Sequence, residues 1–243
     1  MSQRYFVETP ILKDRVVLRG AEAHHLIHVM RARPGARVVL FDGSGLEFAA
    51  RLARVGRTQV ELEIVSRSRA DRELPVQLEL AVALPKADRR RWLVEKATEL
   101  GVRRIVPLRT HRSVAQPTQR ALERLRRAVI EASKQCGRNL LMQITEPRDW
   151  SNFVAETRAQ PWRLLADAHC TALPTKLSLE QPAERILMAV GPEGGLTADE
   201  VALATGAGWK PLGLGPRVLR VETAAILLTA AVLLSTELGP KQL

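Results

Sequence analysis

Residues 186–229 read ILMAVGPEGGLTADEVALATGAGWKPLGLGPRVLRVETAAILLT, and this stretch decides the fold. It contains two short apolar segments, Ile186–Val190 and Leu212–Gly215, and each leads through a glycine- and proline-bearing loop into a helix-forming segment. Strands that alternate with helices are typical of a mainly parallel sheet covered by helices on both faces. Ligands of such sheets bind at the loops that follow the carboxyl ends of the strands. The stretch therefore predicts an α/β domain whose two loops form a ligand site.

The first loop is Gly191-Pro192-Glu193-Gly194-Gly195. Its glycines permit positive φ and a close approach of the backbone to a ligand. Thr197 and Glu200 have the spacing of a capping box, so a helix should begin directly after the loop. The loop lacks the glycine spacing and the lysine of phosphate-binding loops, and Glu193 would repel a phosphate. The pattern favours a neutral or cationic ligand, and a simple strand–helix turn without a ligand stays open as the alternative.

The second loop carries Arg217, Arg220, Glu222 and Thr223 between two apolar segments. The segment that follows, Ala224–Leu234, has 11 residues, of which only Thr229 is polar. It is too short to span a bilayer, which needs ~20 residues, so it predicts a buried helix. A polar loop directly before a buried helix is typical of a segment that lines a binding site.

Charge is the strongest signal in the composition. The chain has 243 residues, a formal net charge of +11 and a sequence pI near 10.7, which favours a polyanionic partner. Residues 1–70 carry 12 Lys and Arg against 7 Asp and Glu, residues 71–147 carry 16 against 9, and residues 148–243 carry 9 against 10. The cationic excess lies outside the paired loops, as expected if one region holds a nucleic acid and another a small ligand. Solvated charged faces on a chain that is simply rich in arginine are the alternative.

The cysteines and histidines do not indicate a metal site. Cys136 and Cys170 are far apart and form no C-x-x-C motif, which favours a reducing compartment. His24, His25 and His28 have no cysteine or paired carboxylate that would complete a ligand set, so no metal is expected. Because residues 1–10 contain no apolar leader segment, we expect a cytoplasmic protein without a membrane partner.

Periodicity divides the chain into a β-rich N-terminal domain, residues 1–70, and an α/β domain, residues 74–243, joined by the charged linker Ser66–Pro75. In the first domain we predict the strands Arg15–Leu18, Arg37–Asp42, Leu46–Leu52 and Gln59–Val65 and the helix Glu22–Met30. In the second domain we predict the strands Val76–Leu84, Ile105–Leu108, Met142–Thr145, Arg163–Ala166, Ile186–Val190 and Pro211–Leu214. The helices predicted there are Arg89–Leu100, a long helix that ends near Cys136, Asp149–Arg158 and Ala224–Leu234.

Cations that lie off the apolar stripes are the candidates for contact with nucleic acid. They are Arg4, Arg31, Arg33, Arg89, Arg90, Arg127, Lys134 and Arg138. Each phosphate contact releases counterions, so binding should weaken steeply as salt is added. Aromatic residues make up only 4% of the chain, so base stacking on an aromatic platform is not expected. Recognition of RNA shape and backbone, with one base taken into a pocket, fits this composition better.

The paired loops resemble those of the SPOUT methyltransferases. GPEGG with its TxxE cap, followed by LGPRVLRVETA, is most similar to the ribosomal small-subunit RNA methyltransferase E family. Three further stretches agree with that family: Arg4–Phe6, His24–Arg31 with Phe41–Ser44 after it, and Glu131–Asn139. The resemblance therefore covers nearly the whole chain.

The resemblance implies a fold, a cofactor and partners. The fold would be an N-terminal PUA-like β-barrel followed by a SPOUT-type α/β domain with a trefoil knot, and the protein would be a homodimer. It would use S-adenosyl-L-methionine, without a metal, to methylate N3 of a uridine in the 16S rRNA of the small ribosomal subunit. The implied cofactor-binding residues are Leu165, Val190, Gly191, Glu193, Gly194, Gly195, Leu214, Gly215, Val218, Leu219, Thr223 and Ala224.

Uracil N3 carries a proton that must leave before methylation, so the reaction needs a base or a cation that stabilises the anion. Arg220 is the candidate for the cation, and Glu222 either positions Arg220 or accepts the proton. A salt bridge that only shapes the loop is the structural alternative for both residues.

Two other functions stay open at this point. The chain would act on a ribose 2′-hydroxyl or on tRNA if it were another SPOUT methyltransferase. It would only bind RNA, as a ribosome-assembly factor, if its chemistry were lost. The N-terminal segment and Glu131–Asn139 favour the small-subunit family, and the intact paired loops favour an enzyme.

Overall fold

The computed structural model of the chain describes residues 3–70, 72–113, 116–171 and 183–237. Contacts divide the chain into two compact units. One unit consists of Met1–Glu73 with Ile130–Leu141, and the other consists of Leu74–Val129 with Met142–Leu243. The sequence predicts two domains, 1–70 and 74–243, each of them one continuous segment, and these limits stay a prediction.

The first unit is built on a five-stranded sheet. Its strands are β1 Arg4–Phe6, β2 Arg15–Leu18, β3 Arg37–Phe41, β4 Leu46–Val55 and β5 Val60–Arg69, in the order β1-β3-β4-β5-β2. Strands β1 and β3 are parallel and the other pairs are antiparallel. Helix α1, Gly20–His24, continues into a π-helical turn, His25–Val29. Apolar side chains from alternate strand positions, including Tyr5, Leu40, Phe48 and Leu62, form a core with Leu26 of that turn.

Three details of this unit differ from the sequence prediction. The strand β1 was not predicted, because three residues are too few to show an alternating pattern. The linker was placed too early, since Ser66–Arg69 extends β5 as the partner of β4, and Asp71 lies outside the described residues. The helical segment begins before Glu22 and ends at Val29, just ahead of Arg31, whose positive φ of 49° leaves the helical region.

The second unit contains a seven-stranded, wholly parallel sheet, which confirms the α/β prediction. Its strands are β6 Gln77–Val82, β7 Arg104–Arg109, β8 Gln143–Ile144, β9 Arg148–Asp149, β10 Trp162–Ala166, β11 Arg185–Val190 and β12 Lys210–Leu212. Six strands follow the order β12-β10-β11-β6-β7-β8, and β9 pairs with β7. Its helices are α2 Ala87–Glu99, α4 Trp150–Glu156, α5 Ala198–Gly206 and α6 Val221–Glu237. Helix α3, Gln119–Cys136, belongs to this unit up to Val129 and to the first unit from Ile130.

Burial explains why these segments form sheet and helix. The central strands β6 and β11 are buried at five of six positions, as strands covered on both faces should be. Helix α6 buries Val221, Ala225, Leu228 and Val232, which recur at helical spacing. It starts three residues earlier than predicted, so Glu222 lies in its first turn and not in the preceding loop. Within the described ranges, no helix is both long and apolar enough to cross a membrane.

A buried carboxylate links three neighbouring strands at their amino ends. Glu79 of β6 is 3% exposed; its Oε2 lies 2.5 Å from Nη2 of Arg185 on β11, and its Oε1 lies 3.5 Å from Nη1 of Arg104 on β7. In the ladder, Glu79 stands opposite Arg104 on one side and Leu187 on the other. Because a register slip would leave this carboxylate buried without its cations, the ion pairs hold β7, β6 and β11 in register.

Candidate functional site

Three loops meet at the carboxyl edge of the parallel sheet. Strands β11, β10 and β12 are neighbours, and the segments that follow them begin at Gly191, Asp167 and Gly213. In parallel strands these ends all lie at one edge, which is where open α/β sheets bind ligands. The two loops that the sequence predicts as a pair therefore come together, and a third loop joins them.

The loop after β11 is a tight turn held at both ends. The Gly195 amide donates to the Pro192 carbonyl at 2.8 Å, and Gly195 has φ of +70°, which suits glycine. A β-carbon added at Gly191 would lie 2.9 Å from Leu196 Cγ and 3.2 Å from the Leu196 backbone nitrogen. The predicted capping box of α5 is present: the Glu200 amide donates to Thr197 Oγ1, and the Thr197 amide donates to the Glu200 carboxylate.

Hydrogen bonds to the segment after β7 hold this loop in place. The His111 amide donates to Oε1 of Glu200 at 2.8 Å, and Arg112 Nη1 donates to the Gly194 carbonyl at 2.7 Å. The same glutamate that caps α5 thus joins two loops. These bonds preorganise the turn and keep the Gly194 carbonyl paired.

The three loops enclose a cavity of about 270 Å³. Ten of the residues predicted to bind a cofactor line it: Val190, Gly191, Glu193, Gly194, Gly195, Leu214, Gly215, Val218, Leu219 and Ala224. Leu165 does not line the cavity, because it faces the fully buried core beside α4 and α5. Thr223 does not line it either and is exposed in the first turn of α6.

Several residues of the cavity were not predicted, because no local motif marks them. Ala166 is the last residue of β10, Asp167, Ala168 and His169 come from the loop after it, and Arg112 comes from the loop after β7. The Asp167 carboxylate accepts from the His169 amide at 3.0 Å, and its own amide donates to the Leu212 carbonyl, so the β10 and β12 loops are tied together. The sequence marks only Asp167 as a candidate for the site, because it directly follows a predicted strand.

The two predicted catalytic residues lie beside the cavity and differ in exposure. Arg220 is exposed, and within the described ranges its side chain makes no ion pair or hydrogen bond. Glu222 is 6% exposed, and its Oε2 is buried without a hydrogen-bond partner among the described residues. The structure pairs Glu222 with Arg89 of α2, at 3.8 Å between Oε1 and Nη1, and not with Arg220. Arg89 Nη1 also lies 3.5 Å from Glu193 Oε1.

The predicted RNA-contacting cations divide into exposed and internally paired side chains. Arg31, Arg33 and Arg127 are exposed, whereas Arg90 is half-buried, donates to the Pro85 carbonyl at 2.9 Å, and has its pKa lowered by burial. Arg89 forms the carboxylate contacts described above.

Three of these cations face carboxylates inside the first unit, and their contact with RNA stays a prediction. Arg4 pairs with Glu47 at 2.7 Å and donates to Asn139, and Arg138 is 3% exposed and pairs with Glu73. Lys134 pairs with Glu22 at 2.8 Å. Burial alone would lower the pKa of Lys134, but Glu22 and Glu131 outweigh it and raise that pKa.

Family models match both regions of the chain. A model described as an RNA methyltransferase domain matches residues 72–233, and one described as an RNA methyltransferase PUA domain matches residues 18–65. The chain is 34% identical over 227 residues to the ribosomal RNA small subunit methyltransferase E of Synechocystis, covering 91% of this chain and 74% of that relative. It is 29% identical over 252 residues to the protein of the same name from Bacillus subtilis, covering 97% and 98%.

Solved structures agree with these matches. A methyltransferase from Legionella pneumophila, in complex with S-adenosylmethionine, superposes with a TM-score of 0.86 at 30% identity, over 97% of this chain and 98% of that one. The ribosomal RNA small subunit methyltransferase E of Neisseria gonorrhoeae, also bound to S-adenosylmethionine, superposes with a TM-score of 0.86 at 28% identity, over 98% of each chain.

Replacing Gly191 with alanine should destabilise the turn after β11. The added β-carbon would meet backbone and side chain of Leu196, so we expect Gly191→Ala to lower the free energy of unfolding by about 1–3 kcal/mol. Gly206→Ala is the matched control, since a β-carbon there meets nothing within 4 Å at the end of α5, and its stability should be unchanged or slightly higher. Urea denaturation followed by circular dichroism measures both. Equal stability of the two variants would contradict the tight turn.

Proposed function

Because the chain belongs to the ribosomal RNA small subunit methyltransferase E family, as its sequence resemblance predicts, we propose that it transfers a methyl group from S-adenosylmethionine to N3 of a uridine in 16S rRNA. The observation that carries this proposal is the cavity at the carboxyl edge, where the glycine turn and the second loop face each other. The family supplies the substrate class, and the cavity supplies a place for the cofactor beside two candidate catalytic groups.

The residues of the cavity fit S-adenosylmethionine. The carboxylates of Glu193 and Asp167 suit its sulfonium, ammonium and ribose hydroxyl groups, and Val190, Leu214 and Leu219 offer an apolar surface for adenine. Gly191 leaves no room for a side chain, and Gly215 has φ of +105°, so both loops present backbone instead of side chains. When bound, the cofactor supplies an activated methyl group on a positively charged sulfur.

The protein must then remove the proton from uracil N3. In our proposal Glu222 accepts this proton, the N3 electron pair bonds to the methyl carbon, and the carbon–sulfur bond breaks to leave a neutral thioether. Arg220, exposed and without an ion-pair partner within the described ranges, stabilises the uracil anion while its charge develops. Glu222 is nearly buried in the structure, and its Oε2 has no hydrogen-bond partner among the described residues.

RNA binding in this proposal rests on the exposed cations. Arg31 and Arg33 in the first unit and Arg127 in the second are free of the internal carboxylate pairs that hold Arg4, Lys134 and Arg138. Each phosphate they neutralise adds to the salt dependence of binding. In this proposal the protein contacts fewer RNA phosphates than its net charge of +11 suggests.

Methyl transfer tests the function directly. We expect the protein, labelled S-adenosylmethionine and small ribosomal subunits that lack their native methylation to yield N3-methyluridine in 16S rRNA, identified by mass spectrometry of nucleosides. Free 16S rRNA and tRNA serve as comparison substrates. A ribose-methylated product or a tRNA target would assign the chain to another SPOUT reaction. Cofactor binding without transfer to any RNA would indicate a binding factor instead.

Arg220→Ala should separate chemistry from cofactor binding. We expect kcat to fall by about 100-fold or more, because a cation that stabilises a developing anion acts mainly in the transition state. The dissociation constant for S-adenosylmethionine, measured by calorimetry, should stay within a few-fold, since Arg220 does not line the cavity. If both quantities deteriorate together, Arg220 shapes the loop and does not take part in the reaction.

We also propose that the protein forms a homodimer through an apolar face of α6. Leu227 and Leu234 are 43% and 53% exposed and lie two turns apart on one side of the helix. Exposed leucines at this spacing on an otherwise buried helix are typical of a subunit interface.

Leu227→Glu should therefore give a monomer, because it buries a charge in an apolar interface. Leu203→Glu on α5 is the matched control, since Leu203 has a similar exposure of 40%. Size-exclusion chromatography with light scattering distinguishes the two. A monomeric wild type, or a dimer that survives Leu227→Glu, would exclude this face.

A further inference from the structure

Arg89 connects the glycine turn and the first turn of α6 from outside the cavity. It projects from the first turn of α2, and its Nη1 lies 3.5 Å from Glu193 in the glycine turn and 3.8 Å from Glu222 in the first turn of α6. Both distances exceed those of a good hydrogen bond, and the one guanidinium is shared between two carboxylates. No other residue within the described ranges forms ion pairs with both Glu193 and Glu222.

The two carboxylates depend on this cation to different degrees. The side chain of Glu193 is 41% exposed, so water can solvate it, and an ion pair at such a surface contributes little by itself. The side chain of Glu222 is 8% exposed, so water solvates it far less. A charged group that is buried needs a partner, and Arg89 is the cation that the structure provides.

Among the residues that the structure describes, no other cation forms an ion pair with Glu222. Helix α6 packs on α2, β6 and β11. On α2, Arg90 donates to the Pro85 carbonyl and Arg91 pairs with Glu95. On β6 and β11, Glu79 and Arg185 pair with each other at the opposite end of the strands.

We propose that Arg89 is a positioning residue for methyl transfer, which holds the buried Glu222 carboxylate in place beside the cavity. The inference rests on the proposed function, since Glu222 is there the acceptor of the N3 proton. It gives Arg89 a different role from the phosphate contact that its sequence pattern predicts. Arg89 contacts Oε1 of Glu222, and Oε2 makes no hydrogen bond among the described residues.

Three variants test this role. Arg89→Met removes the charge and keeps much of the side-chain length. Arg89→Lys keeps the charge, and because the contacts are longer than hydrogen bonds and not bidentate, an ammonium can replace much of the guanidinium's effect. Arg91→Met removes a cation from the same helix that pairs with Glu95 at 2.7 Å, outside the site.

The main readout is the single-turnover rate of methyl transfer as a function of pH. We expect Arg89→Met to lower the rate at neutral pH by about 10- to 100-fold and to move the acidic limb of the profile to higher pH, because the positive charge beside Glu222 is removed. Arg89→Lys should retain the rate within about fivefold and the position of the limb. Arg91→Met should behave as the wild type.

The salt dependence of RNA binding separates positioning from phosphate contact. Loss of a phosphate contact reduces the slope of log K against log salt by about one and weakens binding without a change in the pH profile. For Arg89→Met we expect an unchanged slope. A reduced slope together with an unshifted pH profile would overturn the inference and restore the phosphate-contact role.

Combining Arg89→Met with Glu222→Gln provides a second, independent test. If Arg89 acts through Glu222, adding Arg89→Met to Glu222→Gln should cost little further rate, whereas independent roles would multiply the two losses. Multiplied losses would overturn the inference even if Arg89→Met alone were unstable. A wild type that methylates no RNA would overturn the proposed function and this inference together, whereas an active wild type and an equally active Arg89→Met would overturn the inference alone.

Discussion

The buried ion pairs of Glu79 are the constraint on which the geometry of the second unit depends. They join β7, β6 and β11 at the amino ends of the strands, and the strands then run in parallel with a fixed register. Because the strands are parallel and in register, their carboxyl ends also align. The Gly191 turn and the segment at His111 therefore arrive side by side and can be joined through Glu200. Ion pairs at the amino ends of the strands thus fix the positions of the loops at their carboxyl ends.

The cavity depends on loops that are held in place before any ligand arrives. Thr197 and Glu200 cap α5, and the same Glu200 carboxylate accepts the His111 amide, so one side chain fixes a helix start and a loop contact. The Asp167 amide bonds the Leu212 carbonyl and ties the β10 loop to the β12 strand. Preorganised loops of this kind lower the entropy lost when a ligand binds.

Local features of the sequence predicted more of the site than of its surroundings. The strand β11, the glycine turn and the cap at Thr197 are encoded within a few consecutive residues, so periodicity and turn chemistry identify them. Asp167 and Arg112 come from distant segments and meet the cavity only through the parallel topology. Arg89 and Arg138 illustrate the same limit. Helical spacing marks both as cations away from the core, but their carboxylate partners lie elsewhere in the chain and become visible only in the structure.

Glu222 combines opposing effects in one position. It is nearly buried, yet it lies in the first turn of α6, where the amino end of the helix carries partial positive charge, and 3.8 Å from Arg89. A carboxylate that only stabilised the helix could remain exposed and avoid the desolvation. The catalytic role that we propose for Glu222 rests on this burial and on the shared Arg89.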